Sequence, residues 1–350
     1  MIFGWICAIS TTSAPRRSGP LLLSLAPNLL SLQIKNIRLI CYMPPEEMVG
    51  ALAGLTKLRA ICIGFSRSFN FPPQGSISLG AMNRHPPSLV RIIFPDLTKF
   101  QISGYNEYLN DLVALIDAPQ LEDLSVESSK IYGNSDTGDK IVGNLFPFIS
   151  RTATFMFTQF GRAELTLDPR RCITYVKFDL PQGECQQARL SLTVSDRHYW
   201  SQWKAPSSTD IAVDVNHVLG QLAFMLSDVQ HLSIKRLGSE DEEQDEFILE
   251  KHNLGFIWLQ LLRSFIAVDV FRVSRRLAGS IASAINGAPG RTVTPVLPAL
   301  QVLWLDDKVR KGKLMASIEE FLYWRKQSGH PVVISTRAIG LLKDSTLNPH

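Results

Sequence analysis

The chain has 350 residues, of which 45% are hydrophobic and 19% charged, with a formal net charge of +4. That apolar share suffices for a substantial core and excludes wholesale disorder. The small positive excess is spread along the chain, without the basic stripe that nucleic-acid binding requires.

The opening "MIFGWICAIS" is apolar, but Arg16 and Arg17 follow it instead of preceding it, the wrong order for a secretory signal. Its run is too short to span a bilayer, and no other stretch approaches about 18 uncharged apolar residues. Residues 1–20 are therefore expected to be an N-terminal arm, or the edge of a truncated gene model, and not a domain. Five cysteines, Cys7, Cys41, Cys62, Cys172 and Cys185, form no CxxC pair. An odd count of scattered thiols fits a reducing compartment. The expectation is a soluble protein of the cytoplasm or nucleus, with no membrane partner.

From there one phrase recurs, with large apolar residues in the pattern L-x-x-L-x-L. It is carried by Leu29, Leu32 and Ile34; by Leu58, Ile61 and Ile63; by Leu97, Phe100 and Ile102; and by Leu121, Leu124 and Val126. It continues with Ile173, Val176 and Phe178; Val229, Leu232 and Ile234; Val268, Phe271 and Val273; and Leu300, Leu303 and Leu305. Pro27, Pro95, Pro119 and Pro298 each stand two residues before the first apolar position. The last two apolar positions are two apart, so they share one face of a strand. The first marks the bend into that strand. Eight such units indicate leucine-rich-repeat-like stacking, although their spacing is irregular.

Helical periodicity fills the intervals. Pro45 fits a first helical position with Glu46 and Glu47 in the first turn, and Met48, Val49, Leu52 and Leu55 make one face. Leu109, Leu112, Val113 and Ile116 follow Asn106 as a candidate N-cap, with Pro119 as the stop. Residues 150–200 read as strand-rich, as at Leu190, Leu192 and Val194. Val215, Val218, Leu219, Leu222 and Leu226 predict another helix, and the acidic run at 239–246 reads as a solvated connector. Trp258 falls in an apolar helix with Leu261, Leu262 and Phe265. Leu277, Ile281 and Ile285 share a face, as do Ile318, Phe321, Leu322 and Arg325 ahead of the helix stop Gly329. "PVVIS" closes the series as a strand. The expected fold is α/β: an irregular leucine-rich-repeat-like solenoid over residues 21–336, a curved parallel sheet of short strands with helices on its outer face. Residues 337–350 form a tail.

No HExxH, GxSxG or Walker motif occurs, and no two of the seven histidines lie three to five residues apart as zinc ligands would. Ser195, Asp196 and His198 are adjacent in "SDRHYW", but catalytic triads are assembled by the fold and not by adjacency, so a packing loop is the simpler reading. "NGAPGRT" at 286–292 lacks the P-loop lysine and reads as a connector. No catalytic residue, metal or cofactor is expected. Strand alternation instead names an open face: Gln33, Lys35, Gln101, Ser103, Ser125, Glu127, Lys177, Asp179, Ser233, Lys235, Arg272, Ser274, Trp304 and Asp306. This mixed, polar surface suits a protein or peptide partner. Trp304, between Leu303 and Leu305, is its one large ring, available as an anchor or for packing on a neighbour.

The stretches "LLLSLAPNLLSLQI", "PPEEMVGALAGLTKLRAICIGF", "FPDLTKFQISGYNEYLNDLVALIDAPQLEDLSV", "FISRTATF", "WLQLLRSFIAVDVFRVS", "LPALQVLWLDD" and "IEEFLYWRKQSGHPVVIS" run in order from about Leu21 to Ser335. Together they resemble the C-terminal leucine-rich-repeat-like region of F-box proteins expanded in mushroom-forming fungi. The resemblance implies a non-enzymatic adaptor whose repeats present a substrate to an SCF-type ubiquitin ligase. Its F-box would dock on the Skp adaptor. The residues before Leu21 are too few for an F-box, and "MPPEEMV" leads directly into a repeat strand. Skp binding is therefore expected only where an F-box lies upstream. A repeat scaffold, or a truncated relative with no ligase role, is the alternative.

Overall fold

In the computed structural model, the residues described are 27–37, 43–65, 91–129, 143–168, 173–180, 188–195, 220, 222–237, 254–286, 296–306 and 313–335. The elements in chain order begin with β1 (Ser31–Ile37), α1 (Pro45–Leu52), β2 (Ala60–Phe65), β3 (Ile92–Ile93), β4 (Lys99–Tyr105), α2 (Asn106–Ala114) and β5 (Ile116–Asp117). Next come β6 (Asp123–Ser129), α3 (Leu145–Arg151), α4 (Ala153–Phe157), β7 (Arg162–Asp168), β8 (Ile173–Asp179) and β9 (Arg189–Ser195). The remainder are α5 (Ala223–Leu226), β10 (His231–Arg236), α6 (Leu254–Arg263), β11 (Val270–Ser274), α7 (Arg275–Asn286), β12 (Val302–Asp306), α8 (Lys313–Gln327) and β13 (Val333–Ser335). The fold is α/β with mostly parallel pairing. It divides into two compact units, Met1–Thr158 with Gly183–His198, and Gln159–Gln182 with Tyr199–His350.

In the first unit β1, β2, β4, β6 and β9 pair in that order, all parallel. Register aligns Leu32, Ile61, Phe100, Leu124 and Leu190 in one apolar row and Ile34, Ile63, Ile102, Val126 and Leu192 in the next. All but Ile34 are buried. Each such side chain contributes about 1.5–3 kcal/mol by leaving water. The helix α2 packs on β4 and β6, and the Phe148 ring of α3 meets Phe100 edge-on at 6.1 Å. Arg151 pairs with Asp117 at 3.0 Å, tying α3 to β5.

In the second unit the order is β8, β7, β10, β11, β12, β13. Here Phe178, Ala163, Leu232, Phe271, Leu303 and Ile334 align, beside Val176, Leu165, Ile234, Val273 and Leu305. The helix α7 packs on β10, β11 and β12 and touches α6 and α8.

One corner recurs in both units. The N–H groups of Leu58, Leu97, Leu121, Val229 and Leu300 donate to the carbonyls of Leu55, Phe94, Ala118, Leu226 and Leu297, at 3.1–3.3 Å. Both ends of each turn are buried. Pro95, Pro119 and Pro298 occupy its second position, where their fixed φ suits a tight turn. The strand that follows enters by a shared acceptor. Leu30 O accepts from Arg59 and Ala60, Arg59 O from Thr98 and Lys99, and Thr98 O from Glu122 and Asp123. Gly161 O accepts from Gln230 and His231, Gln230 O from Asp269 and Val270, and Asp269 O from Gln301 and Val302.

The last of these corners is held differently. Leu297 is buried with φ 53, a left-handed conformation that costs a non-glycine residue roughly 1–2 kcal/mol. Arg325 of α8, only 5% exposed, donates from Nη2 to Leu300 O at 3.0 Å and to Pro298 O at 3.3 Å. Its Nε and Nη1 have no hydrogen-bond partner. Desolvation by burial lowers its pKa, but a guanidinium stays charged.

Several expectations change. Pro119 does not stop α2: the helix ends at Ala114, β5 intervenes, and the proline shapes the corner into β6. Asn106 is the first residue of α2, directly after β4, and not an N-cap outside it. Ile173, Val176 and Phe178 do not form a parallel repeat. Their strand β8 runs antiparallel to β7, because the apolar pattern specifies which side faces inward and says nothing of direction. Arg325 shares the buried face with Ile318 and Phe321, but as a carbonyl clamp. By contrast Pro45 begins α1 with Glu46 and Glu47 in its first turn, Trp258 is core, and Gly329, at φ 81, follows the end of α8. Residues 1–20, Val215, Val218, Leu219, the acidic run at 239–246 and residues 337–350 lie outside the described residues.

Two substitutions check this account by urea unfolding. Phe100→Ala is expected to cost about 3–5 kcal/mol, whereas Gln101→Ala beside it stays within about 0.5 kcal/mol. Arg325→Ala should cost about 2–3 kcal/mol by stripping both corner carbonyls of a charged donor.

Candidate functional site

Because each strand buries alternate residues, the others form polar rows on the opposite face. In the first unit one row is Gln33, Cys62, Gln101, Ser125 and Ser191, in register across β1, β2, β4, β6 and β9. A second aligns Gly64, Ser103, Glu127 and Thr193. A third aligns Ser31, Ala60, Lys99, Asp123 and Arg189, and there Lys99 pairs with Asp123 at 2.9 Å.

These rows floor a cleft of about 350 Å³ lined by Lys35, Asn36, Cys62, Gly64, Gln101, Ser103, Ser125, Glu127 and Thr193, with Ile63, Phe65 and Ile102 beneath. Two local features shape it. The β1–β2 register slips between Ile34 and Ile37, and Asn36 takes φ 58. Asparagine tolerates that conformation, and a bulge re-aims neighbouring side chains. Consecutive residues Lys35 and Asn36 thus both line the cleft. Gly64 keeps the middle of the floor low: a Cβ there would sit 3.0 Å from Ser103 Oγ and 3.9 Å from Lys35 Cγ. Gln33 Nε2 lies 4.0 Å from the half-buried thiol of Cys62.

In the second unit the corresponding row is Lys177, Glu164, Ser233, Arg272, Trp304 and Ser335. Two ion pairs lie within the face. Lys235 reaches Glu164 Oε1 at 2.9 Å, Thr166 Oγ1 lies 3.4 Å from the same oxygen, and Lys177 pairs with Asp179. The Oγ atoms of Ser233 and Ser274 are buried without a hydrogen-bond partner. Trp304 is half-buried beside Arg272 by register. Asp306 aligns with Ser274 at the backbone, and its side chain lies outside the described residues.

Of the expected face residues, Lys35, Gln101, Ser103, Ser125 and Glu127 converge on the cleft, with Gln33 in the same row as Gln101 but outside the lining. The other eight belong to the second unit. Sequence reasoning overlooked Asn36, Cys62, Gly64 and Thr193. Cys62 and Gly64 alternate with Ile61 and Ile63, a signal already present in the second repeat phrase. Glu164 was overlooked because β7 carries a worn motif, Phe160, Ala163 and Leu165, with alanine where leucine is usual. Ser195 ends β9, while Asp196 and His198 lie outside the described residues. Among the described residues no three His, Cys, Asp or Glu side chains cluster as metal ligands would, and no helix is long and apolar enough to cross a membrane. The chain matches no protein-family model and no curated protein.

The Lys235–Glu164 pair is partly solvated, so a double-mutant cycle through Lys235→Ala and Glu164→Ala should give a coupling below about 1 kcal/mol. A coupling well above that would indicate a drier, more rigid face than this geometry implies.

Proposed function

We propose that the chain is a non-enzymatic protein-interaction module, an irregular leucine-rich-repeat-like solenoid that holds a protein or peptide on the open face of its strands. The observation that carries this reading is the polar cleft on the first unit's sheet, floored by register-matched side chains from parallel strands. Repeat proteins bind along such faces because each unit adds one more projecting row. Mixed charge, amides and hydroxyls favour a polypeptide over nucleic acid, which calls for a basic stripe. The resemblance to mushroom-type F-box proteins extends the proposal: the bound partner is the substrate of an SCF-type ubiquitin ligase. A scaffold with no ligase role is the competing reading.

Two experiments separate these. Photo-crosslinking residues placed at Gln33, Gln101 and Ser125 should capture one shared partner that residues placed at Gly50 and Glu319 do not; equal capture from both sets contradicts use of the strand face. For the ligase half, the chain and a version extended by any upstream F-box exon are tested against the Skp adaptor. Binding by either supports the adaptor reading, and binding by neither refutes it.

A further inference from the structure

The cleft in the first unit has a shape and charge that narrow its occupant. It is lined from Lys35 on β1 to Thr193 on β9. Four strand spacings separate those residues, about 19 Å at 4.7–4.9 Å each. A cleft of about 350 Å³ drawn out over that length is narrow. An extended chain of about six residues spans it at roughly 3.3 Å per residue.

The polar groups are spaced to match. Gln33 and Gln101 stand in one row, two strands and so about 10 Å apart, close to the separation of peptide groups three residues apart in an extended chain. Each carboxamide offers both a donor and an acceptor, as a peptide group requires. Cys62 stands between them in the register, and Gly64 leaves the neighbouring row without a side chain there. Charge supplies the polarity. Among the described residues Lys35 has no ion pair, and strand alternation puts it on the cleft wall beside Gly64. The exposed Lys99 and the half-buried Lys177 and Lys235 are each paired with a carboxylate.

We propose that this cleft clamps an extended peptide segment across the strands, its main chain held by Gln101 in the lining and by Gln33 just outside it beside Cys62, and an acidic side chain set against Lys35. The inference rests on the interaction-module reading above and deepens it by naming the partner's chemistry.

Cys62 supplies the readout, because an occupant lying between Gln33 and Gln101 covers its thiol. The full chain is treated with a maleimide in the presence of capped heptapeptide libraries, randomised except for a central Asp, phosphoserine, Lys or Ala. Alkylation is read by mass spectrometry of the Cys62 peptide. The Asp library is expected to slow alkylation as its concentration rises, reaching about tenfold at roughly ten times Kd, and the Lys and Ala libraries much less. Lys35→Glu should transfer the preference to the Lys library, and Lys35→Gln should abolish it in either direction. Greater protection by phosphoserine than by Asp assigns the anion as phosphate within the same clamp. Equal protection by all libraries, protection by none, or a Lys35→Glu chain that still prefers Asp overturns the proposal. A chain that captures its partner from position 101 while no library protects Cys62 overturns the clamp and leaves the module reading intact.

Discussion

A four-residue turn with both ends buried controls this chain. Its last N–H closes on its first carbonyl, and the closing residue (Leu58, Leu97, Leu121, Val229 or Leu300) is withdrawn from water. A backbone group buried without a partner is costly, so the turn must close for the corner to sit inside. Once it is closed, the next N–H pair reaches a single carbonyl of the preceding strand, and register is set before the strand begins. A slip of one residue would exchange buried and exposed side chains along the whole strand, which the apolar rows forbid.

The polar face follows from that register. Because the corners hold strands in step, residues far apart in the chain line up: Gln33 with Gln101, Ser103 with Glu127, Glu164 with Ser233. The two units use this alignment differently. In the second, Lys235 pairs with Glu164 and Lys177 with Asp179. In the first, the bulge at Asn36 and the bare position at Gly64 open a cleft, with Lys35 at its wall. The irregular residues therefore sit where the regular pattern is interrupted, as expected for positions whose task is something other than stacking.

Much of the architecture was legible in the residues. Alternation named the buried partners at Ile61 and Ile63, Phe100 and Ile102, and Leu303 and Leu305, and so their outward neighbours. The proline two places before a leucine was visible, but its role was not. Helix termination and a turn use the same fixed φ, and only the hydrogen bond from Leu121 to Ala118 distinguishes them. Strand direction was hidden for β8, because an alternating pattern reads alike in both directions. The strand β7 lies in the stretch read as strand-rich, but its place in the repeat series was hidden by Ala163, too small to stand out in an apolar motif. The clamp formed by Arg325 could not be read either, since a long cation on a helix face ordinarily snorkels to water, and here the carbonyls of Pro298 and Leu300 take water's place.

The repeated corner is tested most directly by amide hydrogen exchange resolved at single residues. The account predicts that the strand-entry amides Ala60, Lys99 and Asp123 in one unit, and His231, Val270 and Val302 in the other, exchange far more slowly than the exposed amides of Lys57, Asp96 and Gln120. Exchange of those six amides at the rate of the exposed ones would contradict it, because the shared carbonyls would then not be holding the entries of these strands.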